Sequence, residues 1–382
     1  MLNIALFLFG TGIATGLYIN GSIVKNAELA QHLEVIYCSN DSNFDHILLA
    51  NEMCKIRKML CLDDIYISGF IIKYEHIVTH LKYCGFHIID EYYNHIGAQL
   101  VKKQSFYEPK YTMIIAEIGY NHQGDINIAK KIIIECKNAN VDIVKLQKQD
   151  MGINGRFTQE ILNRPYKSTN SFGTTYGEHR KALELTDDEF IELQKFSKKL
   201  NITLIASGQD EPSFDFLHRI GIPFFKIGSG DIGNLNLIEY VAKLGRPIIL
   251  STGMANLMMV EKSVECVLKY NQDLTLLHCT SSYPLPDSEA NLNVIHTYRK
   301  LFPNIKIGFS GHDQGLPLTL AAVAMGCKVI ERHVTLDKNM KGSDHIASLD
   351  IKELKTLVSD IRRIDNAMGN GIKCVQPSEL TC

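Results

Sequence analysis

The residues of this 382-residue chain with most chemistry in them are two histidines and two lysines, each at the end of an apolar run. The stretch 305–345 reads as an apolar strand (IKIGF), a turn with Ser310 and His312, an apolar helix, and a second strand (KVIE) closing on His333. As parallel neighbours, the two strands would bring both imidazoles to one sheet edge, where the catalytic groups of α/β barrels collect. Such a pair suits a borderline divalent metal; the alternative is two satisfied structural histidines. Lys145 and Lys226, with Ser229, Ser251 and Ser310 between them, form a cradle for a phosphate and a carboxylate. The alternative, lysines snorkelling from strand ends, weighs less because both lie in strongly apolar sequence, where an unpaired charge is costly. Lys226 could instead form a Schiff base, although an activating metal pair would make an imine redundant. Glu117 reads as a structural carboxylate paired with a lysine or as a general base. Asp344, in GSDH, reads as a ligand for a substrate hydroxyl or metal-bound water, or as an Asx-turn residue.

Positioning these groups takes a sheet whose strands end together. After residue 111 the chain alternates apolar β-rich runs with helical periodicity eight times, with strands expected at 112–119, 141–147, 203–207, 224–230, 247–253, 275–280, 305–310 and 328–333. Eight such repeats over about 260 residues are what a (β/α)8 TIM barrel requires, whereas doubly wound sheets usually stop at five or six strands. In order, the strand ends present Glu117 with Asn121 and His122, Lys145 with Gln147, Ser207, Lys226 with Ser229, Ser251 with Thr252, His278 with Ser281 and Tyr283, Ser310 with His312, and Glu331 with His333. That succession favours a site for a charged ligand. The one long connection, 151–184, reads as an irregular binding loop or lid, and within it Arg164, His179 and Arg180 could hold a sugar 6-phosphate or merely shape the lid.

Residues 1–104 read as a small Rossmann-like α/β domain, joined by a polar linker at 105–111 to the barrel at 112–370, with a tail at 371–382. In the first domain a strand to Phe9 meets Gly10, Gly12 and Gly16, which are expected to open a helix, and LEVIYC follows as the next strand. The glycine spacing fits a dinucleotide fingerprint loosely, and a structural or docking role is favoured over nucleotide binding. A net charge of −2, with 45% hydrophobic and 21% charged residues, gives no electrostatic reason to expect nucleic acid or an acidic membrane as partner. The ten cysteines show no CxxC pair and fall mostly in apolar runs, as in a reduced cytoplasmic protein. No stretch reads as a signal peptide or membrane span.

The motifs IIAEIGYNHQGD, VKLQ, RPYKSTNSFGTTYGEHRKALEL, FFKIGSGD, RPIILSTGM, LLHCTSSYP, IGFSGHDQG and ERHVTLDKNMKGSDH, in this order, resemble those of the sialic acid synthase (N-acetylneuraminate synthase) family. The resemblance implies condensation of phosphoenolpyruvate with N-acetylmannosamine or its 6-phosphate, releasing phosphate. It implies a divalent metal on His312 and His333, typically Mn2+, with Mg2+ or Co2+ as alternatives. Phosphoenolpyruvate would bind Lys145, Lys226, Ser229, Ser251 and Ser310, Glu117 would be the acid/base carboxylate, and Gln147, Tyr283 and Asp344 would contact the sugar. Ser281 stands where some members carry Asn. Family members form homodimers and commonly continue into a C-terminal antifreeze-like domain, whereas this sequence ends at Cys382.

Overall fold

The computed structural model describes residues 111–381 except 153, 370 and 372, together with the backbone of six strands before them. The chain divides into two compact units, Met1–Phe106 and Tyr107–Cys382.

In the first unit, β1 (Ile4–Leu8), β4 (His32–Tyr37), β5 (Asp64–Gly69) and β6 (Phe86–Ile89) run parallel, and β2 (Leu17–Ile19) and β3 (Ser22–Val24) extend the sheet beyond β1. The expected helix after Gly16 is replaced by β2, which pairs antiparallel with β1, Ile4 opposite Ile19. The sequence reason is LYI-Asn-Gly-SIV: Asn-Gly between short β-branched and aromatic runs is the strongest local hairpin signal, and Ile19 stands opposite Ser22. Gly10, Gly12, Gly16 and residues 105–110 of the linker lie outside the described residues.

In the second unit eight parallel strands close into a barrel: β7 (Met113–Gly119), β8 (Ile143–Lys148), β9 (Thr203–Gly208), β10 (Phe225–Ile227), β11 (Ile248–Ser251), β12 (Leu274–Cys279), β13 (Lys306–Gly311) and β14 (Val329–His333). Helices cover the outer face, so both sides of each strand are dry and the strands read as unbroken apolar runs instead of alternating ones. The core joins Ile115, Ile205, Leu250 and Ile330 to helix residues such as Phe190, Leu237 and Leu357. Register then decides which strand ends meet. Glu117 stands opposite Lys145 on one side and His333 on the other, Ser310 opposite Glu331, and Lys226 opposite Ser207. The register shifts between Glu117 and Gly119, whose φ of +53° favours glycine and where an added Cβ would lie 3.3 Å from Glu117 Oε1.

The 151–184 connection is more regular than expected. It carries helices at Gln159–Leu162 and Tyr176–Leu183, tied by a bridge between Pro165 and Thr175. Thr175 and Glu178 form a capping box, so the sequence Thr-Tyr-Gly-Glu was a legible helix start. No helix among the described residues is long and apolar enough to cross a membrane.

Candidate functional site

Eleven of the twelve candidate residues line one cavity of about 340 Å³ at the C-terminal mouth of the barrel; the twelfth, Asp344, sits 3.8 Å from His333 Nδ1. At its floor Lys145 Nζ pairs with Glu117 Oε2 (2.8 Å) and Glu331 Oε2 (3.6 Å), and donates to Ser207 Oγ (2.8 Å). Lys226 Nζ lies 3.8 Å from Glu331 Oε1, which also accepts from Ser310 Oγ (3.1 Å). All four charged groups are at most 5% exposed. Such burial is tolerable only because each charge faces an opposite one. Burial pushes Glu117 up to about 7, against the pull of Lys145 and with Glu331 adding to the rise. Burial pushes Glu331 the same way, but Lys145, Lys226 and His333 outweigh it and hold that carboxyl at about 2. Of the two carboxyls, therefore, Glu117 is the one placed to take and give a proton near neutrality. Burial lowers Lys226, with Glu331 working against the fall.

On one wall Ser229 Oγ accepts from the Gly253 backbone N–H (3.0 Å) and faces Cys279 Sγ at 3.4 Å. Ser251 Oγ is buried without a hydrogen-bond partner, a polar atom aimed into a cavity that an anion can fill. On the other side the His312 and His333 rings lie 5.4 Å apart, with the Tyr283 ring 4.1 Å from His312. His312 Nδ1 lies 3.0 Å from the Thr280 carbonyl oxygen, which can only accept, so in the neutral ring Nδ1 carries the proton and Nε2 keeps its lone pair; burial pulls the pKa of this ring down, but Cys279 and the Thr280 carbonyl outweigh it and raise it. Burial lowers His333 to about 4, so it is neutral at pH 7, and its Nδ1 is a buried atom with no hydrogen-bond partner. These two imidazoles fit a metal by donor type. Among the described residues no group of three or more His, Cys, Asp or Glu gathers in metal-binding fashion. Behind it, fully buried Arg332 donates to the Asp313 and Gly315 carbonyls (2.6 and 3.0 Å) and to Thr319 Oγ1 (2.7 Å), clamping the turn that carries His312.

Some strand-end groups do not join the site. Asn121 Nδ2 bonds the Val334 carbonyl and Ser348 Oγ, His122 Nδ1 accepts from the Gly124 N–H, His278 Nε2 pairs with the Ala290 carbonyl, and Thr252 Oγ1 donates to Leu277 O. These are satisfied structural groups. The expected phosphate-binding trio in the insertion also falls away from the cavity wall. Arg164 is exposed and pairs with Glu160 one turn back, and His179 packs on Tyr166 (4.5 Å). Arg180 stacks on Tyr120, and none of the three lines the cavity. The insertion residue that does is Arg156, its Nη1 2.7 Å from Asp231 Oδ2. Gln209 and Cys279 also line the cavity. Arg156 and Gln209 carried no spacing signal, and Cys279 looked like any other core thiol.

Fold and side chains together define a (β/α)8 barrel whose mouth gathers two buried lysines, the carboxyls of Glu117 and Glu331 and several serines beside an imidazole pair. The chain belongs to the NeuB family, whose model matches residues 132–373. It is 46% identical over 269 residues to the N-acetylneuraminate-9-phosphate synthase of Mus musculus, across 70% of this chain and 74% of that one. It is 42% identical over 274 residues to the N,N'-diacetyllegionaminic acid synthase of Campylobacter jejuni, across 71% and 81%. Its fold is similar to that of the N-acetylneuraminic acid synthetase of Leptospira borgpetersenii, solved in complex with citrate, with a TM-score of 0.62 and 35% identity over 71% of this chain and 90% of that one.

Proposed function

We propose that the barrel condenses phosphoenolpyruvate with an N-acetylmannosamine-type amino sugar, as its 6-phosphate, to a sialic acid 9-phosphate with release of inorganic phosphate. The observation that carries this reading is one cavity lined by two buried lysines, several serines, an imidazole pair and the titratable Glu117 with which Lys145 pairs. Lys145 and Lys226 neutralise the phosphoenolpyruvate anion, and Ser229, Ser251, Ser281 and Ser310 with the surrounding amides fix its orientation. Gln147, Tyr283 and Asp344 hold the open-chain sugar so that its aldehyde carbon faces the vinyl carbon. When bound at His312 and His333, a divalent ion of the Mn2+ type supplies Lewis-acid polarisation of the aldehyde oxygen. The vinyl carbon of phosphoenolpyruvate forms the new carbon–carbon bond, and cationic character develops at its phosphate-bearing carbon. Glu117, ionised, takes a proton from the water that adds there, and the tetrahedral adduct loses phosphate to leave a ketone. Water therefore ends on the sugar acid and the bridging oxygen leaves with phosphorus.

The phosphorylated form of the sugar is favoured by the relatives named as 9-phosphate synthases and by Arg156, a guanidinium on the cavity wall apart from the lysines of the floor. Asp231 holds that guanidinium from one edge and leaves other N–H donors for a second anion. The test is kcat/KM on N-acetylmannosamine and on its 6-phosphate for the unaltered protein and Arg156→Met. The unaltered protein should prefer the phosphate, and Arg156→Met should lose roughly tenfold or more on that substrate alone. Equal rates on both sugars would remove the assignment.

A further inference from the structure

We infer that Arg180, which lies outside the cavity, is a positioning residue for Glu117, acting through Gln209 and Gln147; the inference rests on the acid/base role proposed for Glu117. Arg180 Nη2 donates to Gln209 Oε1 (3.2 Å), Gln209 Nε2 donates to Gln147 Oε1 (2.9 Å), and Gln147 Nε2 donates to Glu117 Oε1 (3.2 Å). Direction along this chain is set at both ends. A guanidinium has donors only and an ionised carboxylate acceptors only, so each amide between them has one orientation that satisfies both neighbours. If either amide turned over, two acceptors or two donors would face each other, and Gln147 would present its oxygen to the Glu117 carboxylate. The amides alone cannot enforce the direction, because an amide without a fixed neighbour can turn over freely.

Arg180 supplies that fixed neighbour and is itself held. Its guanidinium lies 4.5 Å from the Tyr120 ring centre, and Nη2 also reaches Tyr120 OH (2.6 Å) and Gln149 Oε1 (2.5 Å). It stands on the Tyr176–Leu183 helix of the insertion, Gln147 on β8 and Gln209 just beyond β9. The chain thus links the insertion that borders the cavity to the carboxylate on its floor. With one oxygen held by Gln147 and the other 2.8 Å from Lys145, the plane of the Glu117 carboxylate is fixed from both sides.

The experiment is a double-mutant cycle in the full chain, using Arg180→Met, Gln209→Leu and the double variant, with Arg180→Lys as the conservative change. The readouts are melting temperature, kcat, and KM for each substrate. Each single variant should lower kcat roughly tenfold or more while KM for phosphoenolpyruvate stays within about twofold, since neither Arg180 nor Gln209 belongs to the lysine–serine cradle. The double variant should be no worse than either single one, because both break the same chain. Arg180→Lys, which also has donors only, should recover most of the loss. Losses that multiply in the double variant, or that track the folded fraction, would show Arg180 to be an anchor of the insertion and overturn the proposal. If Arg180→Met does not fold, Gln209→Leu decides alone, and unchanged kcat in it overturns the proposal. An unaltered protein that turns over neither sugar overturns the proposed function and this inference together, whereas an active one with active variants overturns the relay only.

Discussion

Lys145 stands between two carboxylates, 2.8 Å from Glu117 Oε2 and 3.6 Å from Glu331 Oε2, and only one of the two is left with a proton affinity near neutrality. Glu331 is stabilised as an anion by both lysines, whereas Glu117 feels Lys145, burial and the charge of Glu331.

The acid limb of kcat should therefore rise with pH through about 7 as Glu117 ionises. In Glu331→Gln a charge that raises Glu117 is gone, so the limb should move to lower pH. Stability carries the same signature. The folded chain holds the Glu117 proton more tightly than the unfolded chain, whose value is near 4.5, so this stabilisation is full below 4.5 and is lost as pH rises through about 7. Melting temperatures across that window should fall more in the unaltered protein than in Glu117→Gln. Glu331, with its opposite shift to about 2, acts only below 4.5.

Under the proposed chemistry Lys226 binds the phosphoenolpyruvate anion and forms no imine. Borohydride treatment with pyruvate should leave the mass of the protein unchanged, and Lys226→Met should raise KM for phosphoenolpyruvate by tenfold or more. A pyruvyl adduct on Lys226 would replace the proposed chemistry with that of a Schiff-base aldolase.

Gly253 leaves room beside Ser229 and Ser281 on the cavity wall. An added Cβ would overlap Ser281 Oγ and come within 2.8 Å of Ser229 Oγ. Gly253→Ala should accordingly weaken phosphoenolpyruvate binding, read by calorimetry, roughly tenfold or more, with little change in sugar KM. Equal loss for both substrates would place the damage in the fold.

His312→Ala and His333→Ala should each abolish turnover and lower Mn2+ binding, while phosphoenolpyruvate binding persists on the lysine–serine side. Packing histidines would instead cost ~1–3 kcal/mol of stability and leave activity in proportion to folded protein. Variants that lose stability but keep stoichiometric metal would defeat the metal assignment.

The barrel was legible because parallel strands buried on both faces leave continuous apolar runs, against which Lys145, Lys226, Glu117, His312 and His333 stand out as polar groups that burial makes costly. Side-chain direction was not legible. Asn121, His122, His278 and Thr252 end strands as Lys226 does, yet turn to backbone partners. Glu331 was visible at a strand end, but its place between two lysines depends on register across three strands. Arg156 enters the cavity from a loop whose path no local pattern encodes, and the amide that bonds Gln147 takes its own hydrogen bond from Arg180, 29 residues from Gln209 in sequence. In the first unit the Asn-Gly pair after LYI outweighs the glycine spacing before it, and a hairpin stands where a helix was expected.

The most direct test is turnover of phosphoenolpyruvate carrying oxygen-18 in its bridging position, with N-acetylmannosamine 6-phosphate and Mn2+ present. Mass spectrometry should find the heavy oxygen in inorganic phosphate and a product that joins all the carbons of both substrates, with no phosphate released when the amino sugar is left out. Heavy oxygen retained in a three-carbon product would mean cleavage between phosphorus and oxygen, and phosphate release without the amino sugar would mean hydrolysis of phosphoenolpyruvate alone; either would contradict condensation in this barrel.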